Sequence, residues 1–391
     1  MHKIKKIKIA GFRRLHDVGI EMRPLMVMIG ANGVGKSSIL DAVSLLSASA
    51  SGSLNKTLND LGGVTEICTR GLSKKIILEA EMECPGYEPL CYRLDIEAKG
   101  QGYAIPFEIL SQRRDDGYPE PFKHIESHYT DIKYFDIEDR RLANIEDIQT
   151  VRPDWEHNPL ESSLSQVPKM FRQPEELRQT LSSVTKYHVL DVGPRAPVKL
   201  PQQMKPALLP GADGEDLVPF LYNLRESDRD RFEAIEDALK AAFPGFECLN
   251  FPPAAAGMLS LTWKEEAFKE PIYVHQLSEG TLRFLWLVSL LQSPNLSTVT
   301  MIDEPEVSLH PELLSLLADL MREASERTQI IVATHSDRLI RFLNPDEVVV
   351  MDVEENGCAS ARWADTMDLD EWLKDYSLDE VWRMGRMGGR A

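Results

Sequence analysis

The chain has 391 residues, of which 43% are hydrophobic and 27% charged, and its formal net charge is -18. These values are ordinary for a folded globular protein and exclude disordered and fibrous classes. The negative charge repels nucleic acid and anionic membranes at long range, so any DNA contact is expected to be a local basic patch.

The cysteines and the amino terminus indicate a cytoplasmic location. Five cysteines are scattered without a CxxC pair, which argues against a zinc site or a disulfide framework. Residues 1–8 are basic and alternating but lack the apolar stretch of a signal peptide. No window approaches the roughly 20 apolar residues that span a bilayer, so we expect no membrane contact.

The first part of the chain predicts strands, a glycine-rich loop and a helix. Residues 3–9 and 18–22 alternate apolar and polar side chains, and residues 25–29 form a continuous apolar run. Residues 30–37 spell GANGVGKS, which matches the phosphate-loop pattern GxxxxGK[ST], and helical spacing follows over residues 37–46. The alternative, a plain glycine turn, is disfavoured by this strand, loop and helix context.

The loop residues predict a nucleotide site. Glycines let backbone N–H groups approach phosphate oxygens without an obstructing side chain. Lys36 is expected to reach the β and γ phosphates, and the Ser37 hydroxyl is expected to bind Mg²⁺. The candidate nucleotide-binding residues are Asn32, Gly33, Val34, Gly35, Lys36, Ser37 and Ser38.

The middle of the chain is less regular. Residues 74–109 alternate, with Pro and Gly between the runs, and predict antiparallel strands. Residues 111–210 show poor periodicity and predict an irregular or helical insertion. Helices are predicted at 214–225 and 227–242, and no apolar heptad persists long enough for a long coiled coil.

From residue 277 the pattern alternates between helix and strand. It predicts helix 279–292, strand 298–303, helix 311–327, strand 329–333 and strand 347–352, which implies parallel pairing. Asp303 ends the first of these strands with Glu304 after it, and His335 follows the second. Because ligands lie outside the carboxyl ends of parallel strands, these side chains and residues 30–37 are expected to share one crevice.

The three polar side chains suggest distinct roles. Asp303 would hold the Mg²⁺ shell, and Glu304 would orient or deprotonate an attacking water. His335 would contact the γ phosphate. Taken singly, the alternatives are solvated acids at a strand end and a structural histidine.

Four segments together carry a family resemblance: GANGVGKSS at 30–38, LSEGT at 277–281, TMIDEPEVSLHP at 300–311 and ATHS at 333–336. They resemble the ABC ATPases of the structural-maintenance-of-chromosomes (SMC), RecF and overcoming-lysogenization-defect group, and most closely its compact AAA_21-type members without coiled coils. The resemblance implies an α/β ABC-ATPase head with a P-loop parallel or mixed sheet, an antiparallel β-subdomain and an inserted helical or irregular region. The expected divisions are an N-terminal lobe at 1–110, the insertion at 111–210, a C-terminal lobe at 211–365 and a helical tail at 366–391.

The resemblance also implies roles for further residues. Ser278 and Gly280 would contact the γ phosphate bound by an opposite subunit, and the loop at 308–311 would cross the dimer. Arg13 or Arg14 resembles an arginine near bound nucleotide, with a solvated turn arginine as the alternative. The family's Mg²⁺-binding glutamine loop has no counterpart between residues 38 and 100, where Thr65 or Glu66 is the substitute considered.

The function implied is hydrolysis of ATP, with Mg²⁺, to ADP and phosphate by a homodimer whose heads sandwich ATP. Its catalytic residues would be Glu304, His335 and Lys36. Such a dimer would act in DNA repair, genome maintenance or antiviral defence with a separately encoded nuclease or toxin effector. The alternatives are the nucleotide-binding subunit of a transporter and an ATP-dependent scaffold with little turnover.

The carboxyl-terminal tail predicts two short helices. Capping boxes at 368–371 and 377–380 predict helices 369–374 and 378–384. Their aromatic residues Trp372, Tyr376 and Trp382 suggest packing or, alternatively, a docking surface. The basic cluster of Arg383, Arg386 and Arg390 suggests a local contact with DNA or an acidic partner.

Overall fold

The computed structural model describes residues 3–113, 120–135, 150–152, 156–369 and 371–388. In chain order the strands are β1 Ile4–Phe12, β2 Leu15–Glu21, β3 Leu25–Ile29, β4 Lys75–Cys84, β5 Tyr87–Lys99, β6 Gly102–Gln112, β7 Phe122–His128, β8 Asp131–Phe135, β9 Thr150–Val151, β10 Thr185–Tyr187, β11 Gln202–Gln203, β12 Phe246–Asn250, β13 Met258–Leu259, β14 Thr262–Glu265, β15 Ile272–Tyr273, β16 Val299–Asp303, β17 Gln329–Ala333, β18 Val348–Val353 and β19 Ala359–Trp363. The α-helices are α1 Lys36–Ser51, α2 Leu54–Asp60, α3 Val64–Ile67, α4 Ser163–Gln166, α5 Arg172–Ser182, α6 Leu217–Ser227, α7 Arg229–Ala242, α8 Glu279–Leu291, α9 Leu313–Ser325, α10 Asp337–Ile340 and α11 Leu378–Arg383. Among these described helices, none has the length and apolar character needed to cross a membrane.

A six-stranded sheet in the order β10-β16-β17-β3-β18-β19 forms the centre of the described structure. The first five strands are parallel, and β19 pairs antiparallel to β18. Strand β3 is buried on both faces, because its odd-numbered residues join one apolar cluster and Met26 and Met28 join another. This two-sided burial explains its continuous apolar sequence and confirms the predicted parallel core.

A second sheet is antiparallel and in the described residues has eight strands, in the order β2-β1-β4-β5-β6-β7-β8-β9. Alternate side chains of β4 are buried, as its sequence pattern predicted. They share one apolar cluster with α1, so this sheet covers one face of the central sheet. Because β6 runs from Gly102 to Gln112 and β7 follows in the same sheet, the sheet continues past residue 110. The proposed division there stays a prediction.

The insertion is more regular than its sequence suggested. Its strand β10 adds to the edge of the central sheet, with Lys186 opposite Met301 and Tyr187 opposite Ile302. A three-residue strand is too short to show periodicity, which is why the sequence predicted irregular structure here. The expectation for residues 114–119, 136–149 and 153–155 lies outside the described residues.

A buried carboxyl group anchors the insertion to the antiparallel sheet. Glu108 of β6 is fully buried and accepts hydrogen bonds from the Tyr92 hydroxyl at 3.0 Å and from the N–H groups of Ser163 and Leu164 at 2.6 and 2.9 Å. Burial raises the pKa of Glu108 above its ordinary value, and these hydrogen bonds reduce the size of that shift. The carboxyl group therefore satisfies N–H groups at the start of α4, which carry no partner within the helix.

The tail packs through Val381 and Trp382 into the apolar cluster that contains the odd-numbered residues of β3. The capping box of Ser377 and Glu380 is present and starts α11. Of the predicted helix 369–374, the described residues form a single 3₁₀ turn at Trp372–Lys374 with Glu371 as its N-cap residue, and residue 370 lies outside them. The packing interpretation of these aromatic residues thus holds for Trp382.

Two basic residues of the tail, Arg383 and Arg386, have partners within the chain. Arg383 Nε lies 3.2 Å from Asp337 Oδ2, and the Arg386 guanidinium lies 4.5 Å from the centre of the Trp372 ring. Arg390 lies outside the described residues. These internal contacts leave fewer free charges for DNA than the sequence suggested.

Candidate active site

The glycine-rich loop connects β3 to α1. Gly30 and Gly35 have φ values of 152° and 117°, and a Cβ atom on Gly30 would lie 2.4 Å from the Met351 carbonyl oxygen. Glycine is therefore required at Gly30 by both backbone conformation and space. Gly35 is the N-cap residue and supplies no side-chain cap, so N–H groups of the first turn of α1 remain free to bind an anion.

Lys36 is the buried cation of this loop, with 8% of its surface exposed. Its ammonium donates hydrogen bonds to the carbonyl oxygens of Gly30 and Ala31 at 2.5 and 3.0 Å. Burial lowers the pKa of Lys36. The negative charges of Glu304, Asp303 and Glu306 oppose this shift, because these carboxylates lie near the lysine.

The other loop residues divide between the surface and the interior. Val34 and Ser38 are buried beneath the loop, and Asn32, Gly33 and Ser37 are exposed. The Ser37 hydroxyl is thus accessible to a ligand above α1.

The predicted acidic pair lies at the carboxyl end of β16, beside the end of β17. Burial raises the pKa of Asp303, and the nearby Lys186 and His188 side chains oppose this shift. Glu304 has a φ of 50°, unusual for a non-glycine residue, and its N–H donates to the Ala333 carbonyl oxygen at 2.8 Å. This backbone contact holds the turn at Glu304, directly after Asp303.

His335 lies where the sequence placed it, immediately after β17. Its Nδ1 is 2.9 Å from Glu304 Oε1, and both side chains are partly exposed. The structure therefore brings Lys36, Asp303, Glu304 and His335 to one edge of the central sheet. Their chemical roles stay predictions.

Glu306 is a further acidic residue that the sequence argument did not assign. Its Oε1 accepts a hydrogen bond from the Thr334 hydroxyl at 2.5 Å. Its Oε2 is buried and has no hydrogen-bond partner among the described residues. Burial raises the pKa of Glu306, so this site holds two carboxyl groups with raised pKa values, Asp303 and Glu306. The second acid of the DEPE sequence was the available signal.

Arg13 forms an ion pair with α1. Its NH1 lies 2.6 Å from Asp41 Oδ2, and Lys186 Nζ lies 2.7 Å from Asp41 Oδ1. Asp41 thus connects Arg13 to the lysine that faces Asp303. This pairing argues against a merely solvated turn arginine, although a role in nucleotide binding stays a prediction.

His188 lies beside the acidic pair, and the sequence argument assigned it no role. Because β10 is parallel to β16 and Tyr187 lies opposite Ile302, His188 emerges beside Asp303. His188, Asp303 and Glu304 border one small pocket. Thr65 and Glu66, the substitutes considered from sequence, lie on the exposed face of α3, where Glu66 is 3.8 Å from Arg70.

The segment LSEGT forms the start of α8. Ser278 is its exposed N-cap residue, and the Ser278 Oγ accepts a hydrogen bond from the Thr281 N–H at 3.2 Å. Gly280 packs against the backbone of Ser308, so that a Cβ atom would lie 2.5 Å from the Ser308 carbonyl oxygen. The helix start and the loop after β16 therefore form one continuous surface.

The residues present fit a triphosphate and a hard divalent cation. The exposed Ser37 hydroxyl and the Asp303 carboxylate are oxygen groups of the kind that Mg²⁺ prefers, and they are the residues that would hold it. Among the described residues no group of three or more His, Cys, Asp or Glu side chains is placed to hold a metal ion.

The glycine loop between β3 and α1, with acids at the end of β16 and with β17 lying between β16 and β3, defines the chain as a P-loop ATPase of the ABC and SMC type. Residues 25–341 match the family model described as "AAA domain, putative AbiEii toxin, Type IV TA system". The chain belongs to this family, AAA_21, which implies nucleotide binding. No curated protein matches the chain.

Solved structures with a similar fold include SMC head domains. One is an SMC head bound to the C-winged helix domain of ScpA, with a TM-score of 0.54, 15% identity and coverage of 95% of this chain and 99% of that chain. An SMC head from Pyrococcus furiosus, bound to the C-terminal domain of ScpA, has a TM-score of 0.54, 14% identity and coverage of 98% and 100%. The head from Pyrococcus yayanosii has a TM-score of 0.50, 12% identity and coverage of 98% and 100%. At these identities the likeness confirms the ABC-ATPase head fold.

Proposed function

We propose that the protein binds ATP with Mg²⁺ and hydrolyses it to ADP and phosphate between two copies of the chain. One observation carries this proposal. Lys36 from the loop, Asp303 and Glu304 from the end of β16 and His335 from the end of β17 meet at one edge of the sheet. This is the set of groups that positions a triphosphate, a divalent cation and a water.

Each residue has a role that its surroundings support. The N-terminus of α1 and the loop N–H groups would bind the β and γ phosphates, and Lys36 would exchange its carbonyl partners for phosphate oxygens. Ser37 and Asp303 would hold Mg²⁺, which when bound neutralises charge on the phosphate oxygens. Glu304 would accept the proton of the attacking water. His335 would contact the γ phosphate, as the sequence predicts, and its hydrogen bond would hold the Glu304 carboxylate in position.

A second copy would complete the site. Ser278 lies exposed at the N-terminus of α8, a location that favours an anion, and Gly280 and the loop at 308–311 lie beside it. In the proposed dimer these groups would close over the γ phosphate bound to the loop of the other copy. The family resemblance supports this arrangement.

The biological setting we propose is cytoplasmic and involves a separately encoded effector. Two similar SMC heads are seen bound to domains of ScpA, a separate protein, and the matching family is described by a putative toxin system. These findings favour a dimer that controls a nuclease or toxin in antiviral defence or in DNA repair and genome maintenance.

The test is phosphate release by the purified protein and by its Glu304→Gln variant. We expect the wild type to release phosphate when MgATP is supplied and the variant to lose about a hundredfold or more of that rate, because the proton acceptor is gone. The variant should still bind ATP and accumulate as an ATP-dependent dimer in light scattering.

Glu326→Gln is the matched control, since Glu326 is an exposed acid at the end of α9. It should hydrolyse ATP at the wild-type rate. The proposal fails if the wild type releases no phosphate and Glu304→Gln stays monomeric in ATP.

A further inference from the structure

Arg283 joins three segments that surround the candidate site. It lies on α8, and its side chain is 14% exposed. Its Nε donates a hydrogen bond to the Leu190 carbonyl oxygen at 3.2 Å, and its NH1 donates to the Ser308 hydroxyl. One guanidinium therefore links α8 to the segment after β10 and to the loop after β16.

These links are reinforced by packing on both sides of Arg283. Toward the N-terminus of α8, Gly280 contacts the Ser308 backbone, and Ser308 is held at a φ of 64°. Toward the middle of α8, the Trp286 ring meets the Tyr187 ring of β10 edge-on, with 5.7 Å between ring centres. Thus α8, the end of β10 and the Ser308 loop are connected as one unit.

That unit has two ends with different exposure. At one end, Arg283 borders the same pocket as His188, Asp303 and Glu304, which belong to the protomer's own candidate site. At the other end, Ser278 and Ser308 lie on the surface. A change at His188 on nucleotide binding would therefore reach this surface through Leu190 and Arg283.

We propose that Arg283 is a positioning residue that couples each protomer's nucleotide site to the surface it offers a second copy. This inference rests on the proposed function. Arginine suits the role because its planar fork reaches two acceptors in different directions, whereas a lysine ammonium acts as a single point of charge.

The test compares Arg283→Ala, Arg283→Lys and the control Arg229→Ala, which removes an arginine whose side chain is 80% exposed on α7. Hydrogen–deuterium exchange is measured without nucleotide over residues 277–282 and 304–310. Nucleotide affinity is measured with a fluorescent ATP analogue at low protein concentration. Dimerisation is measured in MgATP with each substitution added to Glu304→Gln.

We expect Arg283→Ala to speed exchange in both segments and to leave nucleotide affinity within about twofold. Its dimer should dissociate about tenfold more readily, as expected for the loss of charged hydrogen bonds. Arg283→Lys should fall between Ala and wild type, and Arg229→Ala should match wild type in every measurement.

Two negative outcomes are distinguishable. If Glu304→Gln alone does not dimerise in MgATP, the proposed function fails and the inference fails with it. If it does dimerise, and Arg283→Ala neither speeds exchange nor weakens the dimer, the inference alone is wrong.

Discussion

Two charged residues at the crevice are held in surroundings that disfavour their charge. Burial lowers the pKa of Lys36 and raises the pKa of Glu306. In both cases burial of the charged form destabilises the folded state relative to the unfolded state. A site that binds a highly charged ligand can bear this cost, because the ligand supplies the missing partners.

Glu306→Gln tests the cost at the acidic residue. Because the folded pKa is raised above the ordinary value, the folded state holds a proton that the unfolded state releases. The free energy of unfolding should therefore fall as the pH rises from the ordinary glutamate pKa through the raised pKa of Glu306 in the folded protein. The glutamine variant cannot ionise, so we expect it to lack this decrease and to be more stable near neutral pH by on the order of 1 kcal/mol.

Urea denaturation of nucleotide-free protein, at about pH 4.5 and about pH 7.5, measures the difference. Glu312→Gln is the control, since the Glu312 side chain is 88% exposed. Parallel pH profiles for Glu306→Gln and wild type would contradict the argument.

The sequence located some site residues and missed others for a physical reason. Lys36 and Asp303 stand in contiguous motifs, where a loop or strand end dictates the neighbouring residues. His188 stands in no motif, because its place beside Asp303 arises from pairing between strands more than one hundred residues apart along the chain. Pairing of that kind leaves no local pattern.

Whole elements likewise divide into those that a local sequence pattern predicts and those that long-range strand pairing determines. Strands β3 and β17 have the predicted bounds exactly, since a buried parallel strand is a continuous apolar run with polar neighbours. Strand β10 and the end of the antiparallel sheet, β7 to β9, were not predicted. Their register is set by partner strands and not by their own periodicity.

At the scale of elements, Gly280→Ala tests whether α8 must touch the Ser308 loop. Alanine normally stabilises a helix relative to glycine, but here the new Cβ would lie 2.5 Å from a carbonyl oxygen. The helix and the loop must therefore separate. We expect phosphate release to fall about tenfold or more while nucleotide affinity stays within about twofold.

Gly245→Ala provides the control, because a Cβ atom at Gly245 meets nothing within 4 Å. Steady-state hydrolysis and equilibrium binding of a fluorescent ATP analogue separate the two effects. A Gly280→Ala protein with wild-type hydrolysis would show that contact between α8 and the loop is dispensable.

Across the whole molecule, the central sheet separates two apolar clusters, and the tail belongs to one of them. The cluster that contains α8 and α9 also includes Leu378, Val381 and Trp382 of the tail. Helix α11 packs beside α10, which begins two residues after His335, and Arg383 bonds Asp337 in its first turn. The tail thus supports the element that positions His335.

Trp382→Ala tests this support. Trp382 is 4% exposed, so its removal would leave a cavity in the cluster, and we expect the free energy of unfolding to fall by about 3 kcal/mol. Tyr376→Ala in the same tail should have little effect, because Tyr376 is 41% exposed. Denaturant unfolding of both variants measures the difference, and phosphate release below the melting transition shows whether the disturbance reaches His335. If Trp382→Ala unfolds at the same denaturant concentration as Tyr376→Ala, the Trp382 side chain does not stabilise this cluster.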